Sequence, residues 1–179
     1  MIVGQLKEPV FLVGFMGAGK TSVSRKLARM VGVASVDMDT YIVRREQKSV
    51  SQIFDEVGEA GFRAIETNVL YELAAKEPMI VSCGGGVVLR PENRQLLKEQ
   101  GFTVYLKVTA EEAASRISNF ESRPLFGDLE NAQRVIDSRR GLYEEVADIA
   151  IDTAGRGSTA IAHELEEILE REGILWLRK

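Results

Sequence analysis

The chain has 179 residues, 45% hydrophobic and 28% charged, with 16 Gly and 4 Pro, which fits one ordinary globular domain spanning residues 1–179. Its formal net charge of −4 argues against a nucleic-acid partner, because phosphate backbones are bound by net or clustered positive charge. One cysteine, Cys83, and one histidine, His163, rule out an internal disulfide, a cysteine metal cluster and a multi-histidine metal site.

Residues 10–13, Val-Phe-Leu-Val, form a short continuous apolar run of the kind expected for a buried strand. A glycine-rich turn follows, and Val23, Leu27 and Val31 then recur at helical spacing until Gly32 stops the pattern. A second strand over 33–36 leads to Asp37 and Asp39. Helices are expected over 40–46, 50–57 and 61–75, the last carrying Phe62, Ile65, Val69 and Leu73 as one apolar stripe. A third strand at 79–81 ends in Gly84, Gly85 and Gly86. Pro91 suits the first turn of a helix reaching residue 100, with Gly101 as its stop.

A fourth strand is expected over 102–108, after which Thr109 and Glu112 make a capping-box signature. Residues 118–129 mix Arg, Asp, Glu, Pro and Gly without period and read as a mobile loop. A helix over 131–143, a fifth strand at 149–151 and a helix over 158–172 complete the pattern, with Gly173 as its end. Strands alternating with helices predict a mostly parallel sheet covered on both faces. No apolar run reaches membrane-spanning length and the first eight residues carry no leader pattern, so a cytoplasmic protein away from membranes is expected. His163, in a charged helical stretch, reads as a solvated side chain.

Residues 14–21, Gly-Phe-Met-Gly-Ala-Gly-Lys-Thr, satisfy the phosphate-loop pattern G-x-x-x-x-G-K-[ST], and they stand between a predicted strand and a predicted helix. Glycines let backbone N–H groups curl around phosphate oxygens, and the following helix presents its positive dipole end to them. Lys20 can reach the β- and γ-phosphates of ATP, and the Thr21 hydroxyl can ligate Mg²⁺. Composition alone yields this pattern by chance in roughly one such chain in 150. The chain contains no N-K-x-D or T-K-x-D motif for reading guanine. The third strand also ends in glycines where a Walker-B strand would end in an acidic residue.

Glycines at a strand's carboxyl end clear space where open α/β sheets bind ligands. Asp37 and Asp39 lie at another carboxyl end. They can hold a hydrated Mg²⁺ and accept substrate hydroxyls, or Asp39 can simply cap the next helix. Arg63 and Glu66, one turn apart, can pair on a helix surface, or Arg63 can fork onto a substrate carboxylate while Glu66 steadies it. Arg116, Arg123, Arg139 and Arg140 concentrate positive charge around the irregular loop, which suits a lid that closes on phosphates and excludes water.

These pieces together resemble shikimate kinase. They are the phosphate loop 14–21, Asp37-Met38-Asp39, the stretch 58–66 (Gly-Glu-Ala-Gly-Phe-Arg-Ala-Ile-Glu), Gly84-Gly85-Gly86, Arg123-Pro124-Leu125, and Arg139 four residues before Tyr143. They occur in that family's order over about 10–153. The resemblance implies a P-loop kinase of the nucleoside-monophosphate-kinase-like type. Its fold would be a three-layer α/β/α arrangement with a five-stranded parallel sheet in order 2-3-1-4-5 and a mobile lid at about 118–130. It implies transfer of a phosphoryl group from ATP to the 3-hydroxyl of shikimate, a step of aromatic amino-acid biosynthesis, by a protein expected to be a monomer.

By the same resemblance, Lys20, Asp39 and Arg123 would be catalytic, and Asp39, Arg63, Gly84, Gly85, Gly86 and Arg139 would hold shikimate. Nucleotide would be bound by Gly17, Ala18, Gly19, Lys20, Thr21, Ser22, Arg116, Arg123 and Arg156, with Arg116 stacked on adenine. Mg²⁺ would be held by Thr21 and, through water, by Asp37. Three departures stand out. Phe126 occupies the place where the family usually has Leu, the lid segment is short, and Ala154-Gly155-Arg156 lacks a polar side chain soon after Asp152-Thr153. The rival readings are another small-molecule kinase of this fold, for gluconate or a nucleotide, and a non-catalytic nucleotide-responsive module.

Overall fold

The computed structural model describes residues 2–117 and 128–178. Its centre is a five-stranded parallel sheet made of β2 (Val10–Val13), β3 (Ser35–Asp37), β4 (Ile80–Ser82), β5 (Phe102–Lys107) and β6 (Ile149–Asp152). Along the sheet the order is β3-β4-β2-β5-β6. Numbered through the whole chain, this differs from the expected 2-3-1-4-5, because an additional strand, β1 (Val3–Leu6), precedes the sheet. The five parallel strands counted by themselves follow the expected sequence. β1 pairs antiparallel with β7 (Leu175–Arg178), Val3 opposite Arg178 and Leu6 opposite Leu175. Neither strand was anticipated. β1 has only Leu6 buried, and β7 lies beyond Gly173, which read as the end of the pattern.

Alternation along β2 sends its side chains to two separate cores. Val10 and Leu12 join Val23 and Leu27 of α1 (Lys20–Val31) and Leu165 and Leu169 of α7 (Ser158–Arg171) on one face. Phe11 and Val13 pack on the other face. There they meet Leu70 and Leu73 of α3 (Val50–Ala74), Leu97 of α4 (Pro91–Glu99) and Tyr143 of α6 (Leu129–Val146). All four side chains of β2 are fully buried, so this strand anchors whatever follows it. A 3₁₀ turn, η1 (Val87–Leu89), links β4 to α4, and α5 (Ala110–Arg116) follows β5.

The predicted helices 50–57 and 61–75 are one element, α3, kinked at Gly58 (φ 69°, ψ −175°). Its N-terminus carries a full capping box between Ser49 and Gln52. The second half aims Arg63 and Glu66 at the end of β4, and the kink separates it from the first. At Thr109 the expected capping box is half present. Thr109 Oγ1 accepts from the Glu112 N–H, but the Glu112 carboxylate turns to Gly155 and Arg116.

Candidate active site

The chain leaves β2, moves to β3 and β4 on one side of it, and then to β5 and β6 on the other. The reversal falls at β2, whose carboxyl end runs into residues 14–19, and such a switch point is where open sheets form a ligand crevice. A cleft of about 850 Å³ opens there, walled by residues 16–23, Asp37, Asp39, Ser82, Gly84, Gly85, Arg116 and Arg156, among others.

Gly19, at φ 93°, caps α1 without a side-chain hydrogen bond, a left-handed backbone suited to glycine. The first turn of α1 lines the cleft and carries no acidic side chain, so the helix dipole favours an anion there. Lys20 is buried, with Nζ 2.6 Å from Gly14 O and 3.0 Å from Phe15 O. The ammonium is therefore held within the loop rather than trailing into solvent.

Thr21 Oγ1 donates to Asp37 Oδ1 at 2.9 Å and lies 3.3 Å from Ser82 Oγ. Asp37 Oδ2 accepts from the Thr40 N–H and hydroxyl, both at 2.9 Å. Asp37, not Asp39, is thus the cap of α2 (Met38–Glu46), and the simple capping explanation of Asp39 falls. Ser82 was not foreseen. It is the last residue of β4, and its place at a carboxyl end was the available signal.

The three glycines after β4 have separate steric reasons. A Cβ on Gly84 would stand 2.6 Å from Glu66 Oε2, and one on Gly86 would stand 2.4 Å from Arg63 Nη1. A Cβ on Gly85 would meet nothing nearer than Met16 N at 3.6 Å. Gly84 and Gly86 therefore make room for the Arg63–Glu66 pair, and Gly85 leaves the cleft wall open. The pair itself is tight, Arg63 Nη1 donating to Glu66 Oε1 at 2.9 Å with Glu66 almost wholly buried. It is a buried ion pair, not the surface pair that i,i+3 spacing equally allowed.

Burial pushes the Glu66 carboxyl above its ordinary range, and Arg63 opposes this, while Asp39 raises it and Arg139 lowers it further. Arg63, Glu66, Asp39 and Arg139 thus share one electrostatic neighbourhood. Arg63 Nε is buried without a hydrogen-bond partner among the described residues, Glu59 Oε1 standing 3.9 Å away. Such a donor is costly to leave unmet. Arg139 Nη1 lies 3.4 Å from Gly85 O, which also accepts from the Tyr143 hydroxyl at 2.5 Å. That hydroxyl is pushed up to about 12 by burial, so it stays a donor. Arg63, Gly86 and Arg139 are absent from the main cleft's wall and adjoin it through Gly84 and Gly85.

At the opposite end, Arg116 donates to Thr153 O at 2.7 Å and Thr153 Oγ1 at 3.1 Å, and to Gly17 O at 3.2 Å. Arg156 pairs with Glu164 at 2.5 Å and faces the cleft, and Ser22 also lines it. Arg123 and most of the expected lid, 118–127, lie outside the described residues. Among the described residues no group of three or more His, Cys, Asp or Glu is placed to hold a metal. Arg140, grouped by sequence with the lid arginines, pairs with Asp137 on α6. Cys83 is buried, its thiol pushed up by desolvation, and His163 is exposed beside Glu166.

Residues 16–170 match the family model "Shikimate kinase". The chain is 39% identical to shikimate kinase of Actinobacillus succinogenes, over 92% of its own length and 96% of the relative's. Among solved structures it resembles a shikimate kinase from Acinetobacter baumannii in complex with shikimate, with a TM-score of 0.87 and 33% identity. That match covers 92% of this chain and 94% of the other. The shikimate kinase of Bacteroides thetaiotaomicron is similar at a TM-score of 0.83 and 30% identity, covering 95% and 99% of the two chains.

Proposed function

Since this chain belongs to the shikimate kinase family, we propose that it transfers the γ-phosphoryl group of ATP to the 3-hydroxyl of shikimate, giving shikimate 3-phosphate and ADP. The observation that carries this reading is the convergence of two sets of groups at neighbouring strand ends. A phosphate loop follows β2, while Asp39, Gly84–Gly86 and the Arg63–Glu66 pair gather beyond β3 and β4.

Shikimate carries one carboxylate and three hydroxyls, and the second set matches that chemistry. Arg63 and Arg139 supply cationic donors for the carboxylate, and Glu66 fixes the Arg63 fork. Gly84, Gly85 and Gly86 let the ring approach the backbone. Asp39, relieved of capping, accepts from the reacting hydroxyl and orients its oxygen. That oxygen attacks the γ-phosphorus, the bond to the β–γ bridging oxygen breaks, and the hydroxyl proton leaves by way of Asp39 or solvent. A loose transition state asks for little base assistance. Lys20 stabilises charge on the transferring group, and Arg123 joins it from the lid.

Thr21, Asp37 and Ser82 offer clustered hard oxygens of the type Mg²⁺ prefers. Thr21 would hold the ion directly and Asp37 through water, and the bound ion would neutralise phosphate charge. The residues 17–22, Arg116 and Arg156 make up the nucleotide side of the site. We read the chain as one catalytic unit acting as a monomer in the cytoplasm, without nucleic-acid or membrane partners. No helix among the described residues is long and apolar enough to cross a membrane.

Coupled ADP detection tests the assignment. Release should require this protein, shikimate and Mg²⁺ together, and gluconate or nucleoside monophosphates should not replace shikimate. Equal release with gluconate would overturn the acceptor, and none with any acceptor would favour a non-catalytic module.

A further inference from the structure

One carboxylate outside the assigned site ties its nucleotide end together. Glu112 Oε1 accepts from Arg116 Nη2 at 3.1 Å and from the Gly155 backbone N–H at 2.9 Å. Arg116 in turn donates from Nη1 to Gly17 O and Ala18 O, at 3.2 and 3.3 Å, and to Thr153 Oγ1. Thr153 is fully buried and donates to Lys107 O at 2.7 Å. Glu112 Oε1 therefore joins Arg116, at the end of α5, to the turn after β6, and Arg116 carries the connection on to the phosphate loop.

We propose that Glu112 is a positioning residue for the base end of the nucleotide, holding Arg116 and the 153–157 turn at the spacing a flat aromatic ring requires. The proposal rests on the reading above that Arg116 stacks on adenine and that Arg156, in this turn, binds the nucleotide. Arg116 and Gly157 both face the cleft. An unrestrained arginine loses side-chain entropy when it packs against a ring, and an arginine already pinned by charge-assisted bonds loses less. The turn gains in the same way. Gly155 adopts φ 66°, and its N–H would otherwise have only water to meet. The carboxyl of Glu112 is held below its ordinary range, first by the Gly155 N–H and also by Arg116, with Asp152 opposing, so the clamp is anionic at neutral pH.

Glu112 touches neither phosphate nor acceptor in this account, and that separates it from a residue supporting the whole site. Calorimetric titration of the full protein with ADP and with inorganic tripolyphosphate, which has no base, distinguishes the two. In Glu112→Ala the ADP Kd and ATP KM should rise about tenfold, the scale for a lost charge-assisted bond. Tripolyphosphate affinity and kcat at saturating ATP should move by less than about twofold, as expected when only ground-state base binding is lost. Glu112→Gln, which keeps an acceptor oxygen in place, should restore most of the ADP affinity. Equal weakening of ADP and tripolyphosphate would overturn the proposal, because the effect would then run through the phosphate loop. If Arg116→Ala weakens ADP and Glu112→Ala does not, Glu112 has no positioning role and the nucleotide reading survives. If Arg116→Ala leaves ADP binding unchanged, the base lies elsewhere and both readings fail together.

Discussion

The phosphate loop and the acceptor end meet in one cleft, yet they are built from different material. The loop is eight consecutive residues whose backbone, in the proposed function, would do the binding, with Lys20 and Thr21 at its close, on a strand whose four side chains are all buried. The acceptor end is made of side chains from α2, α3 and α6 and of the three glycines after β4. It depends on a buried ion pair and on atoms that were never bonded, the missing Cβ groups of Gly84 and Gly86. A backbone site tolerates changes around it and is ruined by losing its lysine. A side-chain site assembled over long range is sensitive to packing at several places, each with a smaller effect.

That contrast is sharpest at Lys20. Lys20→Met should lower kcat by about 10³-fold, the upper end of the cost of a lost oxyanion donor, with a modest fall in melting temperature because two loop carbonyls lose the ammonium. A variant with near-normal kcat at saturating substrates would break the assignment of the loop. Asp39→Asn is expected next, with kcat falling about 10²-fold, the low end for a positioned proton acceptor, because a loose transition state asks for little base assistance. Stability should hold, because Asp37 and not Asp39 caps α2. Full activity in that variant would mean the hydroxyl is oriented by another group.

Arg63→Ala should act on binding instead, raising the acceptor KM by about 2–4 kcal/mol in free-energy terms with kcat little altered. A drop in kcat alone would place Arg63 in the phosphoryl-transfer machinery. The glycines divide more finely. In Gly86→Ala the new Cβ must displace the Arg63 guanidinium, so acceptor KM should rise and thermal stability fall together. In Gly85→Ala the methyl meets only ordinary contacts within the protein, so stability should be unchanged while acceptor affinity falls. Kinetics and melting curves on the two variants check this, and identical behaviour would show that the glycines serve only as a turn.

The smallest effect concerns pH. The Glu66 carboxyl titrates above its unfolded range because it is buried, so the folded state binds its proton more tightly. Its contribution to stability is complete below the unfolded pKa and is lost as pH rises through the higher folded one. Between those two values the wild type should lose stability relative to Glu66→Gln as pH increases, measured by melting temperature. A difference between the two proteins that is flat with pH would contradict a raised Glu66.

The same contrast explains what could be read before the fold was known. The phosphate loop was legible because its function is local: eight adjacent residues between a buried strand and a helix announce themselves. Strand order among the five parallel strands followed from the family's residue pattern, whereas β1 and β7 were missed, having few buried residues to betray a period. At the acceptor end, Arg63 and Glu66 were visible as a pair, but spacing alone cannot tell a buried pair from a surface one. Only the tertiary approach of α3 to the glycine turn makes it buried. Asp37 and Asp39 were both marked, and which of them caps α2 depended on where the helix begins. Ser82 and Glu112 left weaker traces, Glu112 being taken for one half of a capping box whose other half it does not make.

The central claim is that this cleft joins a nucleotide phosphate to the 3-hydroxyl of shikimate, and phosphorus NMR of a reaction run to completion tests it directly. With ATP, Mg²⁺ and shikimate, a single new phosphate monoester coupled to the proton on carbon 3 should appear in amounts equal to the ADP formed. ADP accompanied by free inorganic phosphate and no monoester would contradict the account.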